Sequence, residues 1–425
     1  MTFAAPPVLG TATPPAGLLA RAHGAARDLA ARGAGPHSRV AVDSGDPADV
    51  LAWLLGADLL GAATLVVEPS WSPRERDAVL ADAAPAVVMT GGPGVTGAGV
   101  APATGQFFYL PTTSGSSGRP KVLARSRASW LDSFAALGPL PGPVLVPGPL
   151  SSSLFLFGAL HALWCGADPV LPGRWRPQDA RGAATVHLVP AMLATLLADL
   201  ERSPGPCALR TVVCGGAHVG PELRARFARL LPRARLVEYY GSAEHSLIAI
   251  RRGDGDLRPV PGVEVDVRDG VLWVRSPLAF SGYLRDGELR RVSGWSSVGD
   301  RAALSASGAL TVHGRDSATI SSGGALVPAE EVEAVVRAVP GVEDVLVAGT
   351  PHATLGAVVT AVVQAEDPPP LATLRSAARA GLAPAKRPRR WLHTKRLPRT
   401  PSGKPARAEV AERLREGTLD AEPLP

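Results

Sequence analysis

A chain of 425 residues exceeds what one hydrophobic core organises, so two or three domains are expected. Hydrophobic residues make up 46% of it, and its 46 Gly and 42 Pro are spread along the chain, which excludes a fibrous or linker-like protein. The net charge of +6 comes without a basic block interleaved with aromatics, which argues against a nucleic-acid-binding function.

Residues 1–16 read as a loose Pro/Ala arm. "GLLARAHGAARDLAARG" (17–33) predicts an amphipathic helix stopped by Gly33, and "SRVAVDSG" a short strand. "LAWLLGADLLGAATLVV" (51–67) contains Asp58 and two Gly and is short for a membrane span, so it reads as a buried helix running into a buried strand. "SPRERDAVLADAAP" predicts a helix with Ser72 as N-cap and Pro73 at its first position. "AVVMTGG" and "QFFYLPTTSG" are strand-like. So are "GPVLVPGPL", "DPVLPG", "TVHLVP", "LRTVVCGG" and "ARLVEYYG", with "AMLATLLADLER" and "PELRARFARLL" as helices among them. Alternation of this kind predicts layered α/β sheets. "VEVDVRDGVLWVRSP" alternates and turns at Asp269-Gly270, which predicts a small β subdomain. From about residue 315, a loop, a helix with Pro328 near its start, the strands "VEDVLVAG" and "GAVVTAVVQAE", and the helix "PLATLRSAARAGL" predict a compact α+β unit of about 110 residues. The expected domains are 1–316 and 317–425, with the last ten residues frayed.

Cys165, Cys207 and Cys214 are too few and too irregularly spaced for a disulfide framework, and fit a reducing cytoplasm. His161 and Cys165, one helical turn apart, face a metal or pack in the core; "LHALWCGA" favours the core. The N-terminus "MTFAAPPVLGTATPP" lacks the basic start and apolar run of a signal peptide. The densest basic run, Lys386 to Arg399, reads as a solvated surface or as a docking site for a phosphorylated cofactor or an acidic partner.

Four stretches carry candidate chemistry. Thr113-Ser114-Gly115-Ser116-Ser117-Gly118-Arg119-Pro120-Lys121 follows a strand. Its glycines allow turns in which successive N–H groups converge on an anion, its hydroxyls add donors, and Lys121 adds a charge. It lacks the Walker pattern GxxxxGK followed by Ser or Thr, and its composition alone also suits a linker. Tyr240-Gly241-Ser242-Ala243-Glu244 offers a ring to stack on a base and a carboxylate for Mg²⁺, or else is an ordinary strand-to-loop turn. Gly294 to Asp300, followed by Gly314-Arg315-Asp316, offers a carboxylate to a ribose diol, or is a surface turn. In "LPRTPSGKPAR", Lys404 sits on a loop punctuated by Pro and Gly, ready to meet developing negative charge, or the segment is a tail loop.

Taken together, in this order and at this spacing, these stretches resemble the adenylate-forming superfamily of acyl-CoA synthetases, luciferases and nonribosomal adenylation domains. "TSGSSGRPK" looks like its phosphate loop, "VVCGGA" and "YYGSAE" like its adenine-side motifs, "GWSSVGD" like GWxxTGD, "GRDSATISSGG" like GRxDDxIxxGG, and "PRTPSGK" like PRTxxGK. The resemblance runs from about residue 17 to 412, closest to compact acyl- and aryl-CoA ligases.

The resemblance implies a large N-terminal domain followed by a small mobile lid. It implies attack of a carboxylate on the α-phosphorus of ATP, release of pyrophosphate, and capture of the acyl group by a thiol. Thr113 to Lys121 would hold the β- and γ-phosphates, and Gly215, Gly216, Ala217 and Tyr240 would line adenine, with Gly241 and Ser242 beside them. Glu244 would bind Mg²⁺, Asp300 and Arg315 the ribose. Lys404 would stabilise the adenylation step, with Lys121 and Glu244 also catalytic. The lid would turn at Ser317, bringing Gly323 and Gly324 to the pantetheine arm of CoA or of a carrier protein. Ser152, Phe155, His218 and His245 would surround the acyl group.

The chain departs from the family at Ala243, where a Thr is usual, at Ser317, where Asp or Lys is usual, and at Ser152, where an aromatic or His is frequent. No acid occurs in "SSSLFLFGAL", where amino-acid-activating relatives place an Asp. The expected substrate is therefore an aryl or acyl carboxylic acid without an α-amino group, because a buried unpaired ammonium is costly. The expected protein is a cytoplasmic monomer or homodimer that uses CoA. Loading of a carrier-protein phosphopantetheine, amide formation, and a non-catalytic ATP-binding module are the competing readings.

Overall fold

The computed structural model describes residues 5–425 except 11, 13, 72, 95, 98, 114–119, 316–318, 323–324, 353–355, 383, 402 and 425. The chain divides into two compact units. The first comprises residues 1–219, 223–265 and 274–296, and the second comprises 220–222, 266–273 and 297–425.

In the first unit, Arg39–Asp43 lies between Ala63–Val66 and Val87–Thr90 in a three-stranded parallel sheet. A second sheet of seven strands runs Arg258–Pro259, Ser246–Arg252, Arg235–Ser242, Thr211–Cys214, Thr185–Leu188, Val144–Leu145, Pro169–Val170. It is parallel from Arg235–Ser242 onward and antiparallel at the other edge. The central parallel strands Val144–Leu145, Thr185–Leu188 and Thr211–Cys214 are buried throughout, which is why "TVHL" and "TVVC" read as unbroken apolar runs. A third, antiparallel sheet joins Thr112–Thr113 and Lys121–Ala124 to Gly282–Arg285 and Glu288–Arg291. Leu65, Val67, Leu110, Val122, Ala124 and Leu284 pack together and lock this sheet to the three-stranded one.

Asp58, the one charge in the apolar run 51–67, is wholly buried. It accepts a 2.7 Å bond from the Val8 N–H and is held by Arg127, whose guanidinium lies 2.7 Å away. Val8 and Leu9 are themselves buried, so the N-terminal arm is docked from Pro7 rather than loose. The predicted helix after residue 71 begins at Pro73; its expected cap, Ser72, lies outside the described residues. Two further helices, Arg127–Leu137 and Ser153–Trp164, stand outside the pattern read from the sequence. The second is apolar on every side and has no amphipathic period to reveal it. In it, His161 is wholly buried and stacks on Phe157 and Trp164, in keeping with core packing.

In the second unit, Asp300–Leu304 pairs with Leu310–Arg315 in a four-stranded sheet that includes the hairpin turning at Asp269-Gly270. A six-stranded sheet carries the rest: Ala325–Pro328, Thr319–Ser322, Gly356–Gln364, Arg390–Thr394 and Glu422–Pro423 in order, with Asp344–His352 also on Gly356–Gln364. The helices Ala329–Arg337 and Leu371–Gly381 cover one face, and Arg407–Glu416 the other. Two local expectations fail here. The stretch expected to be loop before Pro328 forms the hairpin Thr319–Ser322/Ala325–Pro328, because "ATI" and "ALV" flank two glycines. The last residues are not frayed: Glu422–Pro423 pairs with Arg390–Thr394, and Leu424 is buried in the core. Among the described residues, no helix is long and apolar enough to cross a membrane.

Candidate functional site

The strands Thr112–Thr113 and Lys121–Ala124 form a hairpin, with Thr113 opposite Lys121. Its loop carries Ser114, Gly115, Ser116, Ser117 and Gly118, which lie outside the described residues. Lys121 is exposed, and its ammonium sits 5.3 Å from the centroid of the Tyr283 ring. The register explains the approach. Tyr283 pairs with Leu123, so Lys121 stands diagonal to it on the same face. The Tyr283 hydroxyl in turn donates a 3.3 Å hydrogen bond to Glu244 Oε1.

Glu244 occupies the turn Ala243-Glu244-His245 between the antiparallel strands Arg235–Ser242 and Ser246–Arg252. The pairing slips between Tyr240 and Gly241, and there the backbone comes so close that a Cβ on Gly241 would lie 2.0 Å from the Ser246 carbonyl oxygen. The turn is held on two sides. The Glu244 carbonyl accepts from Phe280 N–H at 2.7 Å. His245, almost wholly buried, shares Nδ1 with Ser242 Oγ at 3.1 Å and Nε2 with Ser296 Oγ at 2.8 Å. His245, expected at the acyl group, thus ties the "YGSAEH" turn to the "GWSS" segment.

Arg125 was not anticipated from the sequence. It ends the strand that carries Lys121 and is the one charge after a run of apolar residues, which was the available clue. It is wholly buried, and its guanidinium donates to the Ala243 carbonyl at 3.0 Å, the Leu278 carbonyl at 2.6 Å and Ser129 Oγ at 3.2 Å. Burial pulls its pKa down to about 9, while the Glu244 carboxylate favours the charged form. A buried guanidinium forking to two backbone carbonyls fixes the Glu244 turn relative to the Lys121 strand.

At the segment expected to line adenine, Gly215 follows the parallel strand Thr211–Cys214, with its N–H on the Leu188 carbonyl at 3.2 Å. A Cβ there would lie 2.2 Å from the Tyr239 ring, so only glycine fits. Gly216 has φ +84°, and Ala217 and His218 are exposed beyond it. Carboxyl ends of parallel strands are where open α/β sheets take ligands. Tyr240 is half-buried beside them on the neighbouring strand.

At the expected acyl segment, Ser152 is half-buried, and its carbonyl accepts from Phe155 and Leu156 N–H at 3.1 and 3.0 Å as the helix Ser153–Trp164 begins. Phe155 is wholly buried against Gly148. Although this segment holds no acid, the fold brings Glu68 to it. Glu68 Oε2 accepts from Ser151 Oγ, 83 residues away, and Oε1 from the Ser70 N–H at 3.1 Å.

In the second unit, Asp300 is buried and pairs with Arg315 across the strands. Ser317, Gly323 and Gly324 lie outside the described residues. Lys404 is half-buried on a closed loop in which its carbonyl accepts from the Thr400 N–H at 2.7 Å and Gly403 N–H reaches the Thr400 carbonyl at 2.8 Å. Arg399 clamps the loop, donating to the Gly403 carbonyl at 2.9 Å and to Asp344 Oδ2 at 2.8 Å. On the far side, Arg407 grips both Glu333 oxygens at 2.6 and 2.7 Å. The loop is therefore a fixed presentation of Lys404 within its own unit.

The structure brings Lys121, Tyr283, Glu244 and Arg125 into one connected group in the first unit. Asp300, Arg315 and Lys404 belong to the second. Glu244 offers the hard carboxylate oxygen that Mg²⁺ prefers. The glycines at 215 and 241 let the Tyr239 ring and the Ser246 carbonyl pack directly against their backbone. Among the described residues, no cluster of three or more His, Cys, Asp or Glu forms a further metal site.

Comparison with known proteins identifies the family. The family model described as AMP-binding enzyme matches residues 16–106 and 97–284, and that of the AMP-binding enzyme C-terminal domain matches 331–404. The chain is 30% identical over 338 residues to an uncharacterized acyl-CoA ligase, YhfT, of Bacillus subtilis, covering 73% of this chain and 69% of that one. Its fold is similar to ATP-bound MatB of Rhodopseudomonas palustris, with a TM-score of 0.83, 23% identity, and 95% of this chain and 93% of that one covered. It is also similar to the amide bond synthetase McbA of Marinactinospora thermotolerans, with a TM-score of 0.80, 26% identity and 93% of each chain covered. The chain belongs to the AMP-binding enzyme family, as an adenylate-forming enzyme of the acyl-CoA ligase type with a large N-terminal and a small C-terminal domain.

Proposed function

We propose that the protein joins a carboxylic acid lacking an α-amino group to the thiol of CoA at the expense of ATP. A carboxylate oxygen attacks the α-phosphorus, the bond to the β-phosphate oxygen breaks, and pyrophosphate leaves. The thiol sulfur then attacks the acyl carbonyl, the bond to AMP breaks, and the thiol proton is released.

The observation that carries this reading is the chain Lys121–Tyr283–Glu244, which puts a cation and a carboxylate on one ring beside the phosphate hairpin. In it, Thr113 to Lys121 would hold the β- and γ-phosphates, and Glu244 would hold Mg²⁺, which would supply positive charge to offset that gathering on phosphorus. Gly215, Gly216, Ala217 and Tyr240 to Ser242 take the adenine end, Asp300 and Arg315 the ribose. Lys404 stabilises the pentavalent phosphorus in the first step. Ser317 acts as the hinge, and turning there replaces Lys404 by Gly323 and Gly324 for the second step.

The acid is accepted near Ser152, Phe155, His218 and His245. Glu68, which accepts from Ser151 and the Ser70 N–H, brings a carboxylate to this segment, so α-amino acids are the arm of the test that bears most on the exclusion. ATP–pyrophosphate exchange across a library of acids tests the reading. Exchange with aryl or acyl acids and none with α-amino acids is expected, and exchange confined to α-amino acids overturns it.

A further inference from the structure

The backbone of Lys404 is held on both sides of its Cα. Ahead of it, the Gly403 carbonyl, which belongs to the peptide bond joining Gly403 to Lys404, accepts from Arg399 Nη1 at 2.9 Å. Behind it, the Lys404 carbonyl accepts from the Thr400 N–H at 2.7 Å and from Thr400 Oγ1 at 3.2 Å. The second hold lies within the loop itself. The first is anchored outside it: Nη2 of the same guanidinium donates to Asp344 Oδ2 at 2.8 Å and to Gln364 Oε1 at 3.1 Å.

Asp344 opens the strand Asp344–His352 and is buried. Its other oxygen, Oδ1, accepts from the Val345 N–H at 2.8 Å and from Arg337, at the end of the helix Ala329–Arg337, at 3.1 Å. Strand and helix thus fix the carboxylate that Arg399 reaches across 55 residues of sequence. Gly403 adds a local constraint. Its φ of +82° lies in the left-handed region, which a Cβ disfavours, although no atom lies within 4 Å of where that Cβ would stand.

We infer that Asp344 is a positioning residue for the adenylation step, acting through Arg399 on the peptide bond that leads into Lys404. The inference rests on the adenylation reading above; Asp344 itself lies outside the motifs that carry the family resemblance. A guanidinium is a rigid planar fork, so one arm seated on a buried carboxylate fixes where the other arm holds the Gly403 carbonyl. The Lys404 side chain then starts from a backbone that cannot turn on either side. Its ammonium acts on charge that develops only in the transition state, and there position decides the effect.

The test uses the full chain with an acid it adenylates, and single-turnover assays of the two half-reactions. Asp344→Asn and Arg399→Gln are each expected to slow acyl-AMP formation about tenfold, the scale on which misplaced groups cost rate. The KM for ATP should stay within about threefold, and thioester formation from supplied acyl-AMP within about twofold. In a Lys404→Ala background, the same substitutions should slow acyl-AMP formation by less than about twofold more, because the group they position is gone. Gly403→Ala, which meets no neighbour and changes only the backbone preference, should behave in the same way, and it decides the matter if the other two variants do not fold. Losses that multiply in the double variants, or that fall equally on both half-reactions, overturn the inference and leave the ligase reading standing. Absence of pyrophosphate release with every acid overturns both.

Discussion

The Tyr283 hydroxyl donates to Glu244 at 3.3 Å, and the same ring lies under the Lys121 ammonium. One aromatic side chain thus links the cation of the hairpin Thr112–Thr113/Lys121–Ala124 to the carboxylate proposed for Mg²⁺. Removing only its hydroxyl isolates that bond. Hydrogen bonds to charged groups contribute about 1.5–3 kcal/mol, so Tyr283→Phe should lower pyrophosphate exchange by about tenfold or more. It should also raise the Mg²⁺ concentration needed for half-maximal exchange. A Mg²⁺ titration of the variant checks this; an unchanged Mg²⁺ requirement would show that the hydroxyl does not orient Glu244.

Lys404→Ala should cut adenylation by about 10²–10³-fold, the usual cost of removing a donor aimed at transition-state charge. Thioester formation from supplied acyl-AMP should survive nearly intact. Single-turnover assays of the two half-reactions separate these effects, and equal loss in both contradicts the assignment of Lys404 to the first step alone.

Arg125→Met removes a buried charge and leaves the Ala243 and Leu278 carbonyls without a donor. The expected destabilisation is about 3–5 kcal/mol, read as a lowered urea midpoint. Arg125→Lys should recover only part of it, since one ammonium cannot span both carbonyls as the fork does. Full recovery by Lys would mean that charge alone matters at this position.

His161 and His187 are buried, and burial holds their pKa values down to about 4 and about 3, against about 6.5 when unfolded. Both are neutral in the native state, and the unfolded chain takes up protons first as the pH falls. Their contribution is therefore fully present above about pH 6.5 and is lost as the pH drops from there through the folded values. Urea midpoints measured from pH 7.5 to 4.5 should decline, and decline less in His187→Leu. Parallel curves for the two chains would refute the assignment.

The strands and most helices were legible because their apolar periods differ, and the motifs because Gly, Pro and charged residues punctuate them. What escaped the sequence was long-range. Arg125 meets Leu278 across 153 residues, and Glu68 meets Ser151 across 83. Neither has a local signal beyond a charge in apolar surroundings. The helix Ser153–Trp164 escaped for the opposite reason, being apolar on all sides. His245 was legible as a site residue, but not its bond to Ser296, 51 residues on.

The short strand Glu422–Pro423 carries a consequence for synthesis. The strand it covers, Arg390–Thr394, is made some thirty residues earlier and stays an open edge until residues 422–424 follow. During that interval the nascent chain presents unpaired backbone, which invites edge-to-edge association between neighbouring chains. Arg389 and Arg390, at the start of that edge, supply like charge that opposes such association.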